Sequence, residues 1–221
     1  MQVNGELTAI GVETSTDKAH FHNFTPIYER FLFDKRDSVK KVLEIGVFRG
    51  SSVQMWERYF PNAKILGLDI TSVYFNERTF GERVKLAVCD ATDVNQLTST
   101  LAQNSFEPGT VDFVIEDGSH RVSEQVKTLG LAWKYVKPGG LYILEDMHTA
   151  VPLLIGRHAH IPHDGGYIDA SPTTDQRVLG TMYGYPDLFP GLPLDEIEHI
   201  AYMSNVKTMS LTCIFTKKSK L

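Results

Sequence analysis

The chain has 221 residues, a formal net charge of −5 at pH 7, 42% hydrophobic residues and two cysteines. This length suits a single domain spanning residues 1–221, and the negative charge argues against a nucleic-acid partner. The apolar runs are far too short to cross a membrane, and the N-terminus lacks the pattern of a secretory signal. We therefore expect a cytoplasmic protein that acts on a small molecule, with Cys89 and Cys213 as reduced core thiols.

Strand and helix patterns alternate after an N-terminal arm and helix in residues 1–38. This alternation is typical of βαβ units around a mostly parallel sheet. The pattern predicts five strands, KKVLEIGV (40–47), AKILGLDI (63–70), RVKLAVCD (83–90), TVDFVIED (110–117) and LYILED (141–146). It predicts helices at FTPIYERFLF, SVQMWERYF, VNQLTSTLAQ and RVSEQVKTLGLAWKYV, and a turn at KPGG.

The C-terminal part has a different character. Residues 147–170 are rich in Gly, Pro and His and are too long for a simple connection, so we expect an active-site loop. Ser171 and Pro172 then favour the start of a helix. Two alternating runs near the C-terminus predict an antiparallel hairpin. The predicted fold is α/β, a doubly wound, Rossmann-like sheet of seven strands, mostly parallel, with this hairpin at its C-terminal side.

The first chemical feature is LEIGVFRGSS, in which Glu44 ends a strand and Gly46 and Gly50 lie in the turn before a helix. Glycines allow backbone to approach a ligand closely, and the N–H groups at a helix start face that ligand. The fingerprint of dinucleotide-binding proteins requires a further glycine at position 48, which is Phe48 here. The Glu44 carboxylate would also repel a pyrophosphate, so it favours a ligand that carries positive charge.

Two more acids follow the next two predicted strands. Asp69 lies where an acid can accept hydrogen bonds from both ribose hydroxyls of an adenosine ligand. Asp90 lies at the end of the third strand, where the adenine would be. Acids at three consecutive strand ends favour a site more strongly than any one of them does.

The E-x-G-x-x-x-G turn and these ordered acids resemble the class I S-adenosylmethionine-dependent methyltransferases. TDKAHFHNF, IEDGSH and KPGGLYILEDM resemble more narrowly the O-methyltransferases that modify sugar hydroxyls of macrolides and rhamnosylated natural products, from about Thr16 to Met147. The resemblance implies S-adenosyl-L-methionine as cofactor, bound by Glu44, Gly46, Gly50, Asp69, Asp90 and Ala91. It also implies that Lys18, His22 and Tyr28 contact the cofactor as parts of a lid.

A second group of acids follows the fourth and fifth strands, with Asp117 in IEDGSH and Glu145 and Asp146 in LED. Adjacent parallel strands bring these carboxylates together at one edge of the sheet. Clustered carboxylate oxygens suit Mg²⁺, so we expect Asp117, Glu145 and Asp146 to be its ligands. The layout is similar to that of Mg²⁺-dependent catechol methyltransferases. The role of Glu116 stays open between a further metal ligand and a contact to the cofactor.

His120 lies three residues beyond Asp117 and can face the same cavity. An imidazole can accept a proton near neutral pH, so we assign His120 as the general base that activates the acceptor hydroxyl. The expected reaction is an in-line transfer of the sulfonium methyl group to that hydroxyl.

Several alternatives remain at this point. The favoured acceptor is a sugar hydroxyl of a small natural product, with a catechol or phenol as the main rival and an NAD(P)-dependent reductase as the rival outside methyl transfer. Oligomeric state is open, although the resemblance is compatible with a homo-oligomer. His158, His160 and His163 lie in the predicted loop without an assigned role.

Overall fold

The computed structural model describes residues 5–147, 167–169, 194–205 and 210–219. Within these ranges, eight strands form one sheet in the order β3-β2-β1-β4-β5-β8-β7-β6. The strands are β1 (Lys41–Ile45), β2 (Lys64–Asp69), β3 (Val84–Val88), β4 (Val111–Glu116), β5 (Val136–Leu144), β6 (Tyr167–Asp169), β7 (Ile197–Asn205) and β8 (Ser210–Lys217). The helices are α1 (Glu6–Glu13), α2 (Asp17–His20), α3 (Thr25–Leu32), α4 (Ser51–Tyr59), α5 (Val94–Gln103) and α6 (Val122–Ala132).

Strand direction divides the sheet into two halves. The strands β1 to β5 pair in parallel, whereas β8 is antiparallel to both β5 and β7. The predicted α/β class, with a parallel part and a C-terminal antiparallel hairpin, is therefore confirmed. Because β1 to β4 are parallel neighbours, their carboxyl ends meet at one edge of the sheet, and loops from different parts of the chain converge there.

Two predicted connections contain strand structure. Three residues of the predicted loop 147–170 form β6, which adds an eighth strand on the outer edge of β7. The remainder of that loop, its three histidines and the predicted helix after Ser171 lie outside the described residues. The KPGG turn, residues 137–140, lies within β5. The pairing register between β4 and β5 shifts at this point, and such an irregularity accommodates turn-forming residues inside a strand.

The N-terminal arm contains the predicted helix at FTPIYERFLF as α3, and two further helices, α1 and α2, that the sequence patterns did not predict. Helix α1 contacts α2, α3 and α4. At Gly11 an added Cβ atom would approach the Ala19 Cβ atom to 2.7 Å and the Met55 sulfur to 3.1 Å. This close approach holds α2, and the residues beside it, against the body of the protein.

Apolar side chains cover both faces of the sheet. On one face Trp56, Phe60 and Phe113 pack together, and all three are fully buried. On the other face Trp133, Tyr142 and Phe215 form a second aromatic cluster. Among the described helices, each is too short or too polar to cross a bilayer.

Candidate active site

A cavity of about 610 Å³ lies at the carboxyl ends of the parallel strands. One side is formed by the ends of β1, β2 and β3, and the other by the loops that follow β4 and β5. Seven predicted site residues line it, namely Gly46, Asp69, Asp90, Ala91, Asp117, His120 and Asp146. The sequence therefore predicted residues from both sides of one cavity.

The turn after β1 is built around two glycines with left-handed backbone. Gly46 has φ of 93°, and an added Cβ atom would lie 2.0 Å from the Asp117 carbonyl oxygen. The turn after β1 thus touches the loop after β4 backbone to backbone. Gly50, with φ of 74°, precedes the first turn of α4 and does not line the cavity. Between them Phe48 is strained at φ of 47°, is 61% exposed and lines the cavity.

The acids at the ends of β2 and β3 are held by backbone groups close by. Asp69 Oδ2 accepts hydrogen bonds from the N–H groups of Val47 (3.0 Å) and Phe48 (2.9 Å), and Oδ1 accepts one from Thr71 (3.1 Å). Asp90 Oδ1 accepts hydrogen bonds from the N–H group (2.9 Å) and hydroxyl (2.7 Å) of Thr92. These bonds orient both carboxylates and leave further lone pairs that can accept hydrogen bonds from a ligand.

Glu44 has a different environment from the one expected of a cofactor contact. Its side chain is fully buried, accepts a hydrogen bond from the Ser52 hydroxyl and does not line the cavity. Burial raises the pKa of Glu44 to about 7, while the Lys18 charge opposes this rise. Glu44 therefore stabilises the turn through its hydrogen bond with Ser52, at the start of α4. Direct contact between Glu44 and a cofactor stays a prediction.

Lys18 is inserted between two of the predicted metal ligands. Its Nζ atom lies 2.5 Å from Asp117 Oδ2 and 2.6 Å from Glu145 Oε2, and the exposed fractions of the lysine and the glutamate are each 1%. Burial lowers the pKa of Lys18, but the charges of Asp117 and Glu145 raise it, and the net pKa is well above its usual value. Burial also raises the pKa of both carboxyls, and the Lys18 charge opposes this rise.

A second grouping contains the ligand atoms best placed to share an ion. Among the described residues, Asp117, His120 and Asp146 have ligand atoms that all lie within 4.8 Å of one another, and Glu145 is not in this group. His120 Nε2 lies 3.8 Å from Asp117 Oδ1. The backbones of His120 (φ 56°) and Asp146 (φ 47°) are both left-handed, and such strain concentrates at functional sites. Asp146 Oδ1 is buried and has no hydrogen-bond partner among the described residues.

Glu116 belongs to the cavity and not to this group. It is 2% exposed and lines the cavity. Burial, with a smaller contribution from the Asp117 charge, raises its pKa to about 8. Its Oε2 atom is buried without a hydrogen-bond partner among the described residues, so it can accept a hydrogen bond from a ligand in the cavity.

The N-terminal segment contributes residues other than those predicted. Lys18, His22 and Tyr28 do not line the cavity. Tyr28 is fully buried, and the His22 ring stacks on Phe24, with Nε2 at 3.7 Å from Asp146 Oδ2. The lining residues of the segment, which sequence reasoning missed, are Ser15, Thr16, Asp17 and His20. Thr16 and Asp17 belong to the TDK motif, and Ser15 and His20 lie close beside it, so this motif was the available signal.

Part of the chain, including both sides of the cavity, is similar to a known family of proteins. Residues 43–147 match the family model described as "Methyltransferase domain". This range begins in β1 and ends just after Asp146, so it includes both sides of the cavity. The match favours a methyltransferase over the NAD(P)-dependent reductase that the sequence left open.

Relatives with assigned activities extend the similarity beyond this range. The chain is 36% identical over 203 residues to the mycinamicin VI 2''-O-methyltransferase of Micromonospora griseorubida. This match covers 88% of this chain and 44% of that protein. It is 29% identical over 210 residues to the 8-demethyl-8-alpha-L-rhamnosyl tetracenomycin-C 2'-O-methyltransferase of Streptomyces olivaceus. This second match covers 82% of this chain and 53% of that protein. The chain thus spans about half the length of these relatives.

A solved structure gives the same result for the fold. The MycE methyltransferase from the mycinamycin biosynthetic pathway, in complex with Mg, SAH and mycinamycin VI, matches with a TM-score of 0.69 and 28% identity. The match covers 97% of this chain and 55% of that protein.

Proposed function

We propose that this chain, whose residues 43–147 match the family model described as "Methyltransferase domain", transfers the methyl group of S-adenosylmethionine to a sugar hydroxyl of a small natural product. One observation carries the proposal. A single cavity runs from the Gly46 turn and Asp69 to the group formed by Asp117, His120 and Asp146. A methyl donor bound at the first end would therefore present its reactive group to the second.

The donor would lie along the ends of the first three parallel strands. Asp69, already oriented by three backbone N–H groups, is suited to accept hydrogen bonds from the ribose hydroxyls. Asp90 and Ala91 line the part of the cavity where the adenine would lie. S-adenosylmethionine supplies a methyl group bound to a good leaving group, so the protein has chiefly to position the reactants.

The acids after β4 and β5 fit a divalent ion. Asp117 and Asp146 offer hard oxygen ligands, and the unpartnered, buried Oδ1 atom of Asp146 is free to bind one. Glu145, the third predicted ligand, would first have to leave Lys18. When bound, Mg²⁺ would supply positive charge that lowers the pKa of a neighbouring hydroxyl.

His120 would accept the proton of the acceptor hydroxyl. Because Mg²⁺ prefers oxygen ligands, the imidazole stays available as a base even with an ion beside it. The Asp117 carboxylate at 3.8 Å stabilises the protonated imidazole that results. The left-handed backbone at His120 sets the direction from which the ring enters the cavity.

A glycosylated acceptor is favoured by the relatives, because the two curated proteins described above are named for methylating sugar positions. The negative net charge supports a small molecule over nucleic acid as partner. A cytoplasmic location fits the two buried free thiols, Cys89 and Cys213. A homo-oligomer remains compatible with the proposal.

The test begins with calorimetry of the purified chain. We expect S-adenosylmethionine to bind and NAD⁺ not to bind. Glycosylated and phenolic acceptors would then be screened by mass spectrometry, with Mg²⁺ or with a chelator. A gain of one methyl group on a glycosylated acceptor, lost on chelation, supports the proposal. Failure to bind S-adenosylmethionine overturns it, and methylation of phenols alone reassigns the acceptor class.

A further inference from the structure

We propose that Lys18 is an internal counter-cation, one that holds the acid cluster together without a metal and lowers the affinity of the cluster for divalent ions. The acid cluster is defined here as Asp117, which follows β4, and Glu145 and Asp146, which follow β5. The inference deepens the proposed function and rests on its Mg²⁺ site.

The first argument is geometric. The Lys18 ammonium group touches one oxygen of Asp117 and one of Glu145, which belong to loops after two adjacent strands. An ammonium group and a divalent cation both bind carboxylate oxygens, so they compete for the same atoms. Lys18 thus occupies the position between two acids that a shared ion would take, and it holds Glu145 outside the group that includes His120.

The second argument concerns charge. Three carboxylates in a mostly buried region repel one another unless cations lie among them. Lys18 and Glu145 are each 1% exposed, so solvent screens their interaction only weakly. A bound ion would remove the repulsion between the acids, but it would also be repelled by the lysine. Lys18 therefore stabilises the three acids when no ion is bound and opposes ion binding.

The third argument concerns the segment that carries the lysine. Lys18 lies in α2, a four-residue helix that is held against α1, and its neighbours Thr16 and Asp17 line the cavity. The residues joined by its ion pairs are separated by 99 and 127 positions. A change in which cation pairs with these carboxylates would therefore also affect the part of the cavity wall that Thr16 and Asp17 form.

The test measures Mn²⁺ binding through the paramagnetic resonance signal of the free ion, with Mg²⁺ as competitor. It compares the wild-type chain with the variants Lys18→Met and Lys18→Arg. We expect Lys18→Met to bind Mn²⁺ tighter by on the order of tenfold to a hundredfold, because a positive charge beside the site is lost. Lys18→Arg should stay near wild type. Lys35→Met is the matched control, since the ammonium group of Lys35 contacts the Gly139 carbonyl oxygen.

Thermal unfolding gives a readout independent of turnover. Lys18→Met should melt below wild type in a chelator and regain most of the difference in Mg²⁺, because the ion then neutralises the unpaired acids. If Lys18→Met does not fold, Glu145→Gln and the double variant Lys18→Met/Glu145→Gln give the same comparison with one acid fewer.

The outcomes separate the two proposals. Equal or weaker Mn²⁺ binding in the variant that lacks Lys18, or a melting difference that Mg²⁺ does not reduce, overturns the role of Lys18. Absence of Mn²⁺ binding in every chain, wild type included, overturns both this inference and the proposed metal site, while calorimetry of S-adenosylmethionine still tests methyl transfer.

Discussion

The two ends of the cavity are constructed in different ways. At the ends of β2 and β3, the carboxylates of Asp69 and Asp90 are held mainly by backbone N–H groups of nearby turns. At the ends of β4 and β5, Asp117 and Glu145 are held by a buried lysine from the N-terminal segment. The first end depends on local turns, and the second depends on tertiary packing.

The difference shows which end is complete before a ligand binds. Satisfied hydrogen bonds at Asp69 make the donor end a preformed cradle. At the other end, one buried oxygen atom each of Glu116 and Asp146 has no hydrogen-bond partner among the described residues. Buried polar atoms of this kind are costly unless a ligand or ion reaches them. We infer that the acid end gains more order from its ligands than the donor end does.

The largest expected effect comes from removing the base at the acid end. His120→Asn keeps a residue that tolerates the left-handed backbone but cannot accept the proton, so turnover should fall on the order of 10²- to 10⁴-fold. Affinity for S-adenosylmethionine, measured by calorimetry, should not change, because the donor end is untouched. The exposed His199→Asn serves as control. Near-normal turnover in His120→Asn would remove the histidine from the mechanism.

The next effect tests the contact between the two ends. Gly46→Ala places a methyl group 2.0 Å from the Asp117 carbonyl oxygen, so the free energy of unfolding should fall by about 3 kcal/mol or more. Gly109 is also left-handed but has open space around it, and Gly109→Ala should lower that free energy by only about 1 kcal/mol. Urea unfolding of both variants measures the difference. Equal losses would mean that the two loops are not in contact.

The smallest expected effect concerns the preformed cradle. Asp69→Asn should weaken S-adenosylmethionine binding by about tenfold, because a charged hydrogen-bond acceptor for the ribose is replaced by a neutral one. Asp93 also accepts two backbone hydrogen bonds, at the start of α5, but does not line the cavity, so Asp93→Asn is a matched control. Calorimetry should show weaker binding for Asp69→Asn alone. The same loss in both variants would indicate general destabilisation.

The sequence predicted acids at both ends of the cavity but missed that Lys18 pairs with two of them. An acid such as Asp69 follows directly on an apolar strand, and parallel strands bring their ends together, so local patterns suffice. The partner of Glu145 is 127 residues away in a helix of four residues, and no periodicity relates them. The KPGG residues lie within β5, but its register with β4 passes from Val136 directly to Leu141, so these residues keep a local turn-like irregularity inside the strand.

The position of β8 has a consequence for how the protein is made on the ribosome. Strand β5 carries the acid end, and its free edge is covered by β8, which is translated only after β6 and β7. Until Ser210–Lys217 have emerged, β5 presents an open edge to other chains, which invites aggregation. The strands β1 to β3 lie on the far side of the sheet from this edge, so the donor end does not need β8 to cover it. A nascent chain arrested before β8 should therefore expose the edge of β5 to chaperones.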